Sequence, residues 1–88
     1  MKPIKQLIAS LLLAQKRNLI LSYAIYVDDP IRLDLADRRL VITFLPKTKL
    51  KTKYLLQTHI ADNYKNVKSV CLTSNKELLV VMYESTVL

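Results

Sequence analysis

The segment Lys47-Thr48-Lys49-Leu50-Lys51-Thr52-Lys53 puts four ammonium groups into seven residues just after Pro46, and no Asp or Glu occurs anywhere between Arg38 and Ala61. Arg38 and Arg39 share that acid-free window. The chemistry open to such a set is the holding of an anion. A helix starting with Thr48 as its N-cap has unpaired N–H groups and the positive end of its dipole there, so lysines are unfavourable unless an anion offsets them. Free amides and ammonium heads together suit phosphates, gripped by charge without reading base sequence. In a helix Lys47 and Lys51 lie on one flank of Leu50, and Lys49 and Lys53 on the other. In a strand all four share one face. A second reading of the same residues is a solvated basic face that keeps an apolar domain in solution.

The other reactive side chains are sparse. Tyr23, Tyr26, Tyr54, Tyr64 and Tyr83 have rings that could stack on bases, but Tyr54 and Tyr64 fall on the expected core face of a helix, so core packing is the expected role. His59 has no second His and no Cys at ligand spacing, so no metal site is expected. Cys71, between Val70 and Leu72, reads as a small apolar residue packed in a strand. A nucleophilic pair of Cys71 with His59 would lack an orienting third group. Asp28 and Asp29 read as a turn. Glycine is absent, which removes Gly-rich phosphate loops, dinucleotide fingerprints and the G-x-S-x-G nucleophile turn. The chain reads as non-enzymatic, with no cofactor.

These residues need a body to hold them. Eighty-eight residues make a single domain, 1–88, and 51% hydrophobic against 24% charged residues describes a packed chain rather than a disordered one. Fourteen Lys and Arg against seven Asp and Glu leave a net charge of +7, which favours nucleic acid, acidic protein surfaces or anionic lipid through a long-range, salt-screened attraction. One Cys cannot form an internal disulfide, so a reducing cytoplasm is the default. Met1 to Ala14 has the outline of a small signal peptide, basic and then apolar, but Lys16 and Arg17 follow at once and no A-x-A-like site precedes them. No apolar run approaches the ~20 residues of a membrane span.

Along the chain, Ile4, Leu7, Ile8, Leu11 and Ala14 recur at helical spacing and Pro3 suits a first turn, so a helix is expected to about Lys16. Leu19 to Tyr26 is expected to continue as a second short helix or an extension, stopped by Asp28-Asp29-Pro30. Ile31, Leu33 and Leu35 alternate as a strand, Ala36 to Arg39 reads as a turn, and Leu40 to Leu45 as the returning strand. A helix follows to about Asn66, with Leu50, Tyr54, Ala61 and Tyr64 on its core face, flanked by Leu56 and Ile60. Val67 to Thr73 and Leu78 to Tyr83 read as strands around the turn Ser74 to Glu77. The expected fold is α+β, in the order α(α)ββαββ, an antiparallel sheet packed against helices with no internal repeat.

Met1-Lys2-Pro3-Ile4-Lys5-Gln6-Leu7-Ile8 as an opening helix, Pro30-Ile31-Arg32-Leu33 leading into Leu40-Val41-Ile42-Thr43-Phe44, and a helix closing on Val67 to Leu72 resemble a KH-like domain. That domain is shared by the N-terminus of the replication initiator DnaA, the C-terminus of the polymerase tau subunit and DciA-type helicase-operator proteins. The resemblance spans about Lys2 to Thr73 and implies an adaptor in DNA replication that docks on proteins and, in the basic type, touches DNA. Two functions are therefore carried forward. One is a nucleic-acid-binding module contacting DNA or RNA phosphates through Lys47, Lys49, Lys51 and Lys53 with Arg38 and Arg39. The other is a protein-interaction domain, such as a small viral or plasmid-borne antagonist, whose charge serves solubility. The last strand is expected to offer an edge for homodimerisation.

Overall fold

Pro3 opens the first helix with extended backbone (φ −69°, ψ 150°), and α1 runs from Ile4 to Lys16. The helix stops because of Asn18, which takes the left-handed conformation (φ 57°). The Asn18 N–H donates to the Gln15 carbonyl (3.1 Å) and the Leu19 N–H to the Ala14 carbonyl (2.9 Å). This pair of bonds is the Schellman arrangement that usually employs glycine; in a chain without glycine, asparagine is the residue that best tolerates the position. The computed structural model describes residues 1–27 and 35–86, with side chains for 1–27 and 38–84.

Beyond Asn18 the chain departs from the expected second helix. Ser22–Val27 is a strand, β1, paired antiparallel with β2, Leu35–Thr43, from Ser22 opposite Thr43 to Val27 opposite Arg38. The turn expected at Ala36 to Arg39 is likewise strand, because β4, Leu78–Thr86, pairs with β2 along its whole length. The local sequence around Arg38 and Arg39 does not separate pleat from turn, and the long partner strand decides the matter. The expected strand at Ile31 to Asp34 and the Asp28-Asp29-Pro30 stop lie outside the described residues.

Helix α2, Leu50–Asn63, and β3, Val67–Leu72, complete the order α1-β1-β2-α2-β3-β4. The sheet order is β1-β2-β4-β3, antiparallel throughout. The fold is α+β, two helices with a four-stranded antiparallel sheet. The last strand, expected as a free edge, is interior: β2 lies along one side and β3 covers the other from Leu79 to Tyr83. Dimerisation through that strand thus lacks the open edge it needs, and the sheet's edges are β1 and β3.

The element order also contains a repeat that the residues do not spell out, since α1-β1-β2 and α2-β3-β4 are both αββ units joined where β2 meets β4. The core lies along that seam. Leu40 pairs with Val81 and Ile42 with Leu79, all four fully buried, and Leu7, Leu11, Ile60 and Tyr64 press on them from the helices. The helices run antiparallel on this one face. Lys2 donates from its N–H to the Asn63 carbonyl and accepts from the Lys65 N–H, both at 2.9 Å, tying the start of α1 to the end of α2. At the other end the Leu21 N–H donates to the Thr43 carbonyl (2.9 Å), bringing the exit of α1 beside the exit of β2.

Candidate nucleic-acid interface

The approach to α2 is a turn closed by the Thr48 N–H donating to the Leu45 carbonyl (3.0 Å). That turn displaces the expected helix start by one residue, so Lys49 rather than Thr48 occupies the N-cap, with no side-chain cap and no acid in the first turn. The amides there receive nothing from the N-cap side chain, the condition under which an anion is welcome.

Three of the four lysines face water. Lys47, Lys49 and Lys51 are exposed, whereas Lys53 is half-buried. Its ammonium donates to the Lys76 carbonyl and sits 5.3 Å from the Phe44 ring centroid. The reason is helical geometry: residues two apart lie on roughly opposite sides of a helix, so with Lys51 outward Lys53 must point at the sheet. Its long apolar stem covers the end of the core while its head finds a carbonyl. Lys76 arrives from the β3–β4 turn, where it adopts a left-handed conformation (φ 60°), and its ammonium stands 6.0 Å over the Tyr54 ring. Asn75 sets that turn, its side-chain oxygen accepting from the Thr73 hydroxyl (2.7 Å) and the Glu77 N–H (3.0 Å).

Arg38 and Arg39 do not join this group. Adjacent residues of a strand point to opposite faces, and Arg38 opposes Val27 and Tyr83 on the helix side while Arg39 lies on the other, its guanidinium 5.3 Å over the Tyr26 ring. Arg38 lies five positions before Thr43, roughly 16 Å at a strand's rise per residue. Its buried Nε finds no hydrogen-bond partner among the described residues.

Other cations take their place. The exits of α1 and β2 meet through the Leu21–Thr43 bond, and the Phe44 N–H donates to the Glu77 carbonyl (3.1 Å), drawing in the β3–β4 turn. This end of the molecule therefore gathers Lys16, Arg17, Lys47, Lys49, Lys51, Lys53 and Lys76, against Glu77 alone among the described residues there. The Glu77 carboxylate in turn accepts from the Asn75 amide (3.2 Å). Sequence reading missed Lys16, Arg17 and Lys76 because they come from distant parts of the chain and only the fold assembles them.

The tyrosines divide. Tyr64 and Tyr83 are core residues, as expected, and Tyr23 packs against the core, but Tyr54 is 44% and Tyr26 50% exposed. Tyr54 misses the core together with Leu50 and Ala61, because the inward line of α2 runs through Lys53, Leu56, Gln57 and Ile60 instead. The Gln57 amide reaches the Val70 carbonyl (2.8 Å), which fixes that rotation. Cys71 is exposed rather than packed, opposite Val80 on the sheet face away from the helices. His59 sits on α2 at the other face, edge-on to Tyr64 at 6.0 Å between centroids. The two therefore cannot act as a pair.

No group of three or more His, Cys, Asp or Glu that could hold a metal occurs among the described residues, and no helix there is long and apolar enough to cross a membrane. No family model, curated protein or solved structure matches the chain.

Proposed function

We propose that this chain is a non-catalytic, cytoplasmic binding module that grips nucleic-acid phosphates with the end of the molecule around the start of α2. One observation carries the reading: seven cations from three separate segments meet at that end beside a single carboxylate among the described residues, around a helix start with an uncapped N-cap and no acid in its first turn. Lys47, Lys49 and Lys51 are the phosphate ligands in this reading, Lys16 and Arg17 add to the field, and Lys53 with Lys76 is a structural prop. Arg38 and Arg39 fall outside the grip. Exposed Tyr54, framed by Leu50 and Lys76, supplies a ring on which a single-stranded base can stack. A place in DNA replication rests on the KH-like resemblance alone.

The test is binding of a labelled oligonucleotide, single- and double-stranded, at low salt. The Lys47→Gln/Lys49→Gln/Lys51→Gln variant loses most of the affinity, and Lys53→Gln keeps it. Undiminished binding by the triple variant would refute the grip.

A further inference from the structure

The groove between α1 and α2 opens beside that grip, bordered by Lys16 and Arg17 but not by Lys47, Lys49 or Lys51. The helices do not pack closely on one another, and between them the sheet side is open as a cavity of about 380 Å³ floored by Leu7, Leu11, Ile20, Phe44 and Leu56. Ser10 of α1 and Thr52 and His59 of α2 form its walls. Residues three or four apart on a helix are neighbours, so Leu13 stands beside Ser10, and Leu55 beside both Thr52 and His59. Leu13 is 47% exposed, Leu55 61% and Leu19, at the mouth, 63%. Apolar surface thus continues from the floor onto both rims, more than a small ligand inside the cavity would cover.

The charge around the groove is mainly positive. Among the described residues no Asp or Glu lines it, and Lys2 stands at one end. Lys16 and Arg17 follow Ala14 at the other. The two helices hold Lys5, Lys16, Lys51 and Lys53 against Asp62 alone. A second copy of this chain would bring helices of the same sign, which disfavours it as the occupant.

We propose that the groove receives an amphipathic helix with an acidic polar face, supplied by a protein partner and lying between α1 and α2 as a third helix on the sheet. Apolar anchors at i, i+3, i+4 and i+7 meet the floor and the leucine rims, and carboxylates on the exposed side meet Lys2 at one end and Lys16 and Arg17 at the other. The 13 residues of α1 make a wall roughly 20 Å long, which sets the partner segment at three to four turns.

A fluorescent synthetic peptide of about 15 residues tests this, with leucines at the anchor spacing and glutamates elsewhere. Its controls are a scrambled peptide of the same composition and a version with lysine for glutamate. The acidic amphipathic peptide binds in the micromolar range, and Leu13→Glu/Leu55→Glu weakens it by at least about tenfold. Both leucines are exposed, so the variant's thermal melt matches the parent; if it does not, Lys16→Glu/Arg17→Glu provides the same test by charge. Lys47→Gln/Lys49→Gln/Lys51→Gln keeps most of the peptide affinity, which separates this groove from the phosphate grip. Failure of the peptide to bind, equal binding of either control, equal loss in the lysine variant, or binding of dodecanoate in its place would overturn the proposal.

Discussion

Lys51 and Lys53 are two residues apart and do different work. Lys51 faces water at the cationic end, while Lys53 lies against Phe44 with its ammonium on the Lys76 carbonyl. Lys53→Gln should therefore lower the urea midpoint by an amount worth about 1 kcal/mol, with little change in oligonucleotide affinity, and Lys51→Gln should do the reverse. Asn18 has a comparably specific role. Alanine there must hold a left-handed backbone without asparagine's tolerance for it and should cost about 1 kcal/mol, whereas Asn18→Gly should be neutral or better, as chemical denaturation would register. Tyr83 is 2% exposed, and burial pushes its phenol above the ordinary value of 10.0, a rise that the Arg38 charge partly offsets. A pKa raised by folding means the native state holds the proton more tightly than the unfolded one. The phenol's contribution is thus fully present below pH 10 and declines as pH climbs toward the folded value. Tyr83→Phe should flatten the alkaline arm of the stability profile above pH 10 relative to the parent.

At the scale of elements, each helix is held by few points. Ile60 is the one side chain of α2 that is fully buried, so Ile60→Ala should destabilise by about 3 kcal/mol and loosen α2 from β3, while Leu55→Ala on the same helix should be near neutral. Hydrogen exchange on α2 amides would separate the two. The elements also show what the residues made legible. α1, α2, β3 and β4 follow as elements from periodicity, and for α1 the same spacing also gives the buried side at Leu7 and Leu11. The segment from Leu19 to Arg39 does not, because its decisions are not local: Asn18 ends a helix by a backbone conformation rather than by a change of composition, and the Ala36 to Arg39 stretch becomes strand only because β4 is long enough to pair with it. The rotation of α2 was hidden for a similar reason. Its apolar residues do not form a single stripe, and Gln57 on Val70 turns Lys53 inward and Tyr54 outward.

For the whole molecule, two αββ units back to back put both helices on one face of the sheet, with their ends gathered at opposite ends of the domain. The candidate site is a consequence of that closure more than of the lysine-rich segment, which contributes three exposed cations and gains partners from the exit of α1 and the β3–β4 turn. Its affinity should be electrostatic and long-ranged, so salt governs it more than base sequence does. The decisive measurement is oligonucleotide affinity against salt concentration, plotted on logarithmic axes, for the parent and for Lys47→Gln/Lys49→Gln/Lys51→Gln. The parent should show a steep negative slope, about −0.7 to −0.9 per phosphate neutralised, and the triple variant a slope shallower by about two of those steps or more. A slope near zero in the parent, or one unchanged by removal of the three lysines, would contradict the account.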